Sequence, residues 1–492
     1  MSNPFSGREP QKLYQFLYEI FSIPRPSGHE EKIADYVIAF ARDRGLEYIT
    51  DALHNVLVRK KGSPGMEQIP PVLLEGHMDI VPIKAPGAKH DFLKDPVDLV
   101  VENGWVRANR TTLGADNGCA VAIMLTVLDD SRLQCPPLEC LFTVQEETGL
   151  HGIEKFDLTQ IKARRVIGLD AGAEGVFRKG VSTKYKNQFS LPVERELFEG
   201  TVYEIVVSGL RGGHASVAIP QDRACAIKLM GRILYKLQQE LVLRIQKVDK
   251  RINRGVAEDC IATIVVSNLE EKELYERLRK EEAALRDEYC ESDPDITIAL
   301  KNYGNASVHA LTEASGCCLS RALYLMPFGA IRRVVGRWDE PRCYATTKYV
   351  ATEDRQIMID TLVSTDKRIN GVALQNELIA FFKVFGAEII LDELEFGWDP
   401  EEHSPIREIM RKTYLELFGN EPIINVSHGG NDCVVIKERV PEFDVVTTAA
   451  TYLDYHTPNE RLDMSSFEKV YHLIYKTLER IGKEEGGKDA RK

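Results

Sequence analysis

The chain has 492 residues, of which 43% are hydrophobic and 28% charged, and its formal net charge is -12. That length exceeds one compact core and predicts two or three domains, and the apolar content excludes a chain disordered throughout. The acidic balance excludes a nucleic-acid binder, because phosphate neutralisation needs a basic face that this sequence does not supply. Met1-Ser2-Asn3-Pro4-Phe5 lacks a basic or apolar leader, and no stretch reaches the roughly 20 apolar residues of a bilayer span, so the expected location is the cytoplasm, with no membrane partner. Ten cysteines run from Cys119 to Cys433 without a repeated C-x-x-C pair, and the adjacent Cys317 and Cys318 cannot easily bridge each other. They read as reduced, mostly buried thiols rather than a disulfide framework or a zinc-thiolate site.

Two helices are predicted at the N-terminal end. Leu13, Phe16, Leu17 and Ile20 follow helical spacing up to Pro24-Arg25-Pro26, and Ser27 with Glu30 reads as a capping box ahead of Ile33, Val37, Ile38 and Phe40. Short apolar runs then alternate with helical patterns. Val72-Leu73-Leu74 precedes His77, Ala120 to Leu128 reads as a helix, and Leu138 to Val144 and Val166 to Leu169 read as strands. This alternation predicts an α/β fold with a mostly parallel central sheet. Around residues 185–200 the pattern changes: Thr201 to Val207 reads as a strand entering a new unit, followed by a long helix over 222–241 and a charge-rich, solvated helix over 269–291. From about residue 395 the alternation returns, with a strand over Asp444 to Thr447. A last helix starts at Ser465, with Glu468 three residues on, and a polar tail from Lys483 to Lys492 is expected to fray. The expected organisation is a discontinuous catalytic domain over 1–190 and 395–492, interrupted by an α+β domain over 191–394.

Five segments share one design, an apolar strand or its edge followed by acidic or histidine residues, and the carboxyl edge of an open α/β sheet is where ligands collect. They are Gly76-His77-Met78-Asp79, Thr112-Leu113-Gly114-Ala115-Asp116-Asn117-Gly118, Gln145-Glu146-Glu147-Thr148-Gly149, Gly168-Leu169-Asp170 and Asp454-Tyr455-His456-Thr457-Pro458-Asn459-Glu460. On extended backbone His77 and Asp79 point to one side, so the carboxylate can orient the imidazole. Any one segment alone is more simply a surface or core hydrogen-bonding pair. Together they offer imidazoles and carboxylates enough for two divalent ions with one carboxylate shared, a donor set suited to Zn²⁺ first and Mn²⁺ or Co²⁺ next.

These segments, with Ile23-Pro24-Arg25-Pro26-Ser27-Gly28-His29-Glu30-Glu31 and Tyr455-His456-Thr457-Pro458, give the chain a resemblance over nearly its whole length to the aminoacyl-histidine dipeptidases. These belong to the co-catalytic zinc peptidases, which also include aminoacylases and glutamate carboxypeptidases. The resemblance implies a zinc-exopeptidase-like (phosphorylase/hydrolase-like) catalytic domain and an inserted lid that also serves as a homodimer surface. It implies that His77 and Asp170 bind one metal, that Glu147 and His456 bind the other, and that Asp116 bridges them. Asp79 would orient His77, and Glu146 would be the general base that takes a proton from the bridging water and delivers it to the leaving amine. His214, in Gly212-Gly213-His214-Ala215-Ser216, would stabilise the oxyanion, the alternative being a structural loop histidine.

Two departures bear on substrate. Met358 to Ser364 aligns where relatives carry an Arg-Ser pair, which leaves Asn253, Lys367 and Arg368 as candidates to hold a substrate carboxylate. In Ser427-His428-Gly429-Gly430-Asn431-Asp432-Cys433, relatives usually carry Glu where Asp432 stands, and His428 reads equally as a turn residue. The expected activity is hydrolysis of small peptides, preferentially aminoacyl-histidine dipeptides. A broader dipeptidase, an N-acyl amino acid deacylase and a non-catalytic binding protein on the same fold are the alternatives.

Overall fold

The computed structural model describes residues 3–251 and 255–489. The chain divides into two compact units, residues 1–181 with 400–492, and residues 182–399. The division falls earlier than residue 190 because the strand Thr183–Pro192 pairs with Gln356–Thr365 and Glu388–Glu395 and so belongs to the second unit's sheet. Each unit has its own core cluster.

The first unit is built on an eight-stranded sheet. Its order is Glu47–Thr50, Val56–Lys60, Leu138–Thr143, Val72–His77, Arg165–Gly168, Asp444–Thr447, Val176–Val181 and Ile423–Ser427. The central strands Leu138–Thr143, Val72–His77, Arg165–Gly168 and Asp444–Thr447 run parallel. Val72–His77 and Leu138–Thr143 are buried at every position, as expected of parallel strands covered on both faces. The helix Ala115–Asp129 is apolar all round and buried from Ala115 to Leu128, which marks a core helix rather than an amphipathic one. It packs on Val72–His77 and is covered in turn by the helix Gln11–Phe21. A small four-stranded sheet joins Tyr452–Leu453, Arg461–Asp463, Trp105–Ala108 and Leu99–Glu102.

The second unit carries a nine-stranded sheet that is antiparallel throughout. Its main helices are Ala226–Glu240, Glu271–Glu288, Glu313–Leu325 and Arg368–Val384. The charge-rich helix buries Leu274, Leu278 and Leu285 and leaves most of its charged residues on the outer face.

Three local expectations are corrected. Ser27 and Glu30 do not form a capping box: the helix Glu31–Asp43 has no side-chain cap, Ser27 Oγ donates to Asp79, and Glu30 accepts from the Gly28 and Gln145 N–H groups. The last helix runs Met464–Asp489, so its start is held by Asp463, whose carboxylate accepts from the Ser465 and Ser466 N–H groups. It also continues past Lys483 to Asp489, where Arg165 donates to Glu485.

The core helix lies close against the sheet at Gly76, one residue before His77. A Cβ placed there would stand 2.6 Å from Ala120 Cβ and 3.3 Å from Asn117 Nδ2. Gly76→Ala is therefore expected to destabilise the first unit by about 1–3 kcal/mol through overpacking, read as a lower midpoint of urea unfolding. An unchanged midpoint would show that the helix has room to retreat.

Candidate metal centre

His77, Glu147 and Asp170 lie at or just beyond the carboxyl ends of three neighbouring parallel strands, Val72–His77, Leu138–Thr143 and Arg165–Gly168. Asp116 joins them from the start of the helix Ala115–Asp129, where Asp116 and Asn117 depart from helical geometry. His456 enters after Tyr452–Leu453 with a left-handed backbone, φ 60°. Three donor groups form: His77, Asp116 and Asp170; Asp116, Glu147 and His456; and His77, Glu146 and Glu147, with the ligand atoms of each group within 4.8 Å of one another.

Asp116 belongs to two of these groups through different oxygens. Its Oδ1 lies 3.2 Å from His77 Nε2, and its Oδ2 lies 3.5 Å from His456 Nε2. His456 Nε2 is also 2.7 Å from Glu147 Oε1. One carboxylate therefore faces two imidazoles, each with further carboxylates beside it. His77 is held from behind: its Nδ1 lies 3.1 Å from the Asp79 carbonyl oxygen and 3.5 Å from Asp79 Oδ1. A proton on Nδ1 leaves the Nε2 lone pair directed at the Asp116 side, the arrangement an outer carboxylate imposes on a ligating histidine. The donors are nitrogen and oxygen only, converge from several strand ends, and fit a pair of divalent cations.

Of the frame around these residues, the sequence assigns only Asp79 as the partner of His77. Asp79 is fully buried and also accepts from Ser27 Oγ at 2.7 Å and from the Glu146 and Glu147 N–H groups at 3.1 and 3.3 Å. Glu460 accepts from the N–H groups of Leu113, Gly114, Ala115 and Asp116 at 2.8, 3.0, 2.8 and 3.3 Å, which fixes the Asp116 loop. Arg25, 1% exposed, donates to the Met78 and Gly114 carbonyls and so ties the His77 loop to the Asp116 loop. Asn431 Nδ2 donates to the Asp170 carbonyl at 2.8 Å. The available signals were an arginine between two prolines and a glutamate closing the His456 segment, but their partners lie far away in sequence.

Electrostatics follow from burial and proximity. Burial alone would lower the His77 imidazolium, but the hydrogen bonds to Asp116 and Asp79 outweigh it and hold its pKa well above the ordinary value. Burial likewise opposes protonated His456, yet Asp116 and Glu147 carry it up to about 10. Burial would raise Asp116, but the two imidazoles hold it below the usual carboxylate range. Asp170 is pushed up to about 8 by burial and then by the Asp116 charge. Glu146 rises well above its ordinary value through burial, with His77 opposing, and its carboxylate has no hydrogen-bond partner among the described residues. Several carboxylates crowded together in a low-dielectric site favour bound cations.

The remaining candidates fall elsewhere. His214 belongs to the second unit, where it is exposed, caps the short helix Ala215–Ala218, and has Nδ1 2.6 Å from Ser216 Oγ. Lys367 and Arg368 open the helix Arg368–Val384 in that unit, with the Arg368 guanidinium over the Phe396 ring at 5.4 Å. Asn253 lies outside the described residues. Asp432 is 1% exposed and accepts from Thr143 Oγ1, and burial pushes it up to about 6, so it is part of the wall in this structure rather than a surface group. His428 follows the strand Ile423–Ser427 in a bend where Ser427 Oγ bonds to Gly429.

The chain is 30% identical over 479 residues to the cytosol non-specific dipeptidase of Escherichia coli, an alignment covering 97% of this chain and 99% of that one. It superposes with a TM-score of 0.84 on the aminoacylhistidine dipeptidase of Vibrio alginolyticus, at 28% identity, covering 97% of this chain and 98% of that one. The aminopeptidase PepT of Bacillus cereus shares the fold at a TM-score of 0.58 and 17% identity, covering 96% and 98% of the two chains. The family profile of Peptidase family M20/M25/M40 matches residues 73–480, and the chain belongs to that family.

Proposed function

We propose that the protein is a two-metal dipeptidase that hydrolyses unblocked dipeptides, with aminoacyl-histidine dipeptides preferred. The observation that carries this reading is the division of Asp116, one oxygen beside His77 and the other beside His456. Family membership supports it, as do the names of the Escherichia coli and Vibrio alginolyticus relatives. Specificity for histidine is the finer part of the proposal, because one of those relatives is named non-specific.

In this reading His77 and Asp170 hold one cation, Glu147 and His456 hold the other, and Asp116 serves both. Zn²⁺ is the metal we assign, with Mn²⁺ and Co²⁺ as functional substitutes. Bound there, the cations supply Lewis acidity and offset the charge that develops on the scissile carbonyl. Glu146 stands within the same cluster as His77 and Glu147, and its carboxylate is the group available to take a proton from water and return it to the leaving amine. Asp79 positions both sides of this chemistry, through the His77 ring and through the Glu146 and Glu147 N–H groups. His214 is proposed as the oxyanion-stabilising group contributed by the second unit. We place the protein in the cytoplasm, in keeping with the name of the Escherichia coli relative, and no described helix is long and apolar enough to cross a membrane. We also propose a homodimer formed through the second unit, whose sheet ends in the long, largely exposed strand Thr297–Leu311.

Glu146→Ala should keep wild-type metal content and lose about 10²–10⁴-fold in kcat; near-wild-type kcat would remove Glu146 as the base. Asp116→Ala should lose metal along with activity, measured by elemental analysis after gel filtration, and full metal content in that variant would rule out the shared-ligand role. The activity itself is tested with β-alanyl-histidine, glycyl-histidine, several non-histidine dipeptides and an N-acetyl amino acid, each with added Zn²⁺, Mn²⁺ or Co²⁺ and again with chelator. Chelator-sensitive cleavage favouring the histidine dipeptides is expected. Cleavage of the acetylated compound alone would make the protein a deacylase, and no metal-dependent cleavage of anything would leave the non-catalytic alternative.

A further inference from the structure

Tyr452 lies outside the five segments that carry the candidate ligands, yet its hydroxyl stands 3.3 Å from Asp116 Oδ1 and 3.3 Å from Asp170 Oδ1. The residue is 3% exposed, and these carboxylates are the hydroxyl's hydrogen-bond partners among the described residues. A buried phenol left without an acceptor is destabilising, so the contact is imposed by burial. The backbone is fixed independently of the site, since Tyr452 pairs with Leu462 in the small sheet, and the ring stands edge-on to Tyr455 with centroids 5.8 Å apart.

The contact is one-sided. Asp116 Oδ1, the oxygen that Tyr452 meets, is the one beside His77, whereas Oδ2 faces His456. The His77 side chain is 2% exposed and that of His456 is 26% exposed, so the phenol serves the more enclosed of the two positions. We infer that Tyr452 is a positioning residue for the position formed by His77, Asp116 and Asp170, its O–H shared between two carboxylate oxygens that would otherwise repel each other. The donor offsets part of that repulsion and holds the two carboxylates together beside His77. The position is thereby organised before a cation arrives and binds it more tightly than the position at Glu147 and His456. This inference rests on the two-metal reading proposed above.

The test compares wild-type protein and Tyr452→Phe, each stripped of metal and titrated with Zn²⁺ against a chromophoric chelator, then with Co²⁺ followed by visible absorption. Wild-type protein should bind two equivalents in unequal steps. In Tyr452→Phe the tighter step should weaken about 10–100-fold, the usual cost of losing a partner to a ligand, and the weaker step should hold. The kcat at limiting metal should fall and recover with excess metal, and KM should hold. Two steps of wild-type affinity in Tyr452→Phe would overturn the assignment and leave the two-metal reading standing. Equal weakening of both steps would reduce Tyr452 to a packing residue. If the variant does not fold, wild-type protein alone decides the matter: a tyrosinate absorption band that grows with added Zn²⁺ would make the oxygen itself a ligand and overturn the hydrogen-bonding role, whereas its absence supports the neutral donor. Failure of wild-type protein to bind two equivalents would instead remove the two-metal reading, before any variant is compared.

Discussion

Burying several carboxylates in one place is the constraint around which the first unit is arranged. An isolated carboxylate taken out of water costs several kcal/mol unless it is paired or hydrogen-bonded. Here Asp79, Asp116, Glu146, Glu147, Asp170 and Glu460 all withdraw from solvent around one point. The protein answers this in two ways. Some carboxylates are given fixed donors and serve as frame. Others are left facing one another and two imidazoles, and they constitute the candidate metal centre.

The frame carboxylates show what fixed donors accomplish. Glu460 gathers four consecutive backbone N–H groups, and burial still pushes it up to about 7 against their effect. Asp79 has the nearby His77, Ser27 and the Glu146 N–H, and these overcome its burial and hold it below its ordinary value. Arg25 supplies the compensating positive charge in the interior. Burial lowers it to about 10, which still leaves it charged at neutral pH, and Glu460 and Asp79 favour that charge. Because Arg25 also bonds to carbonyls of both the His77 and Asp116 loops, charge compensation and loop geometry come from one side chain.

The centre that results is not symmetric. The His77 side is deep, braced by Asp79 from behind and met by Tyr452, while His456 is partly open and has a tyrosine ring at right angles to its own. An enclosed position with satisfied outer partners favours tight binding, and an open one favours exchange with small molecules. The placement of these side chains at strand ends thus gives the candidate centre one enclosed side and one accessible side.

How far the sequence carries this account can be judged from particular residues. Strand-end histidines and acids were legible because the apolar runs before His77, Glu146 and Asp170 have strand length and composition, and the carboxyl edge of a parallel sheet is a known gathering place. The same reading misassigned Ser27 and Glu30 as a helix cap, since local spacing matches a capping box while the real partners, Asp79 and the Gln145 N–H, lie far along the chain. It also placed the unit boundary late, because the strand from Thr183 shows its allegiance only by pairing with Gln356–Thr365. Glu460, Asn431 and Tyr452 carry no local signature that separates them from ordinary polar or aromatic residues.

The sequence by itself therefore determined the class of fold and the segments that end in candidate metal-ligating side chains, because periodicity and residue type are local properties. Only the tertiary structure decided which oxygen of Asp116 meets which imidazole, which carboxylates are held by backbone N–H groups and which face one another, and which histidine is enclosed. Those outcomes depend on contacts such as Leu113 with Glu460 or Asp116 with Tyr452, where residues hundreds of positions apart are brought within hydrogen-bonding distance by a sheet whose strand order differs from chain order.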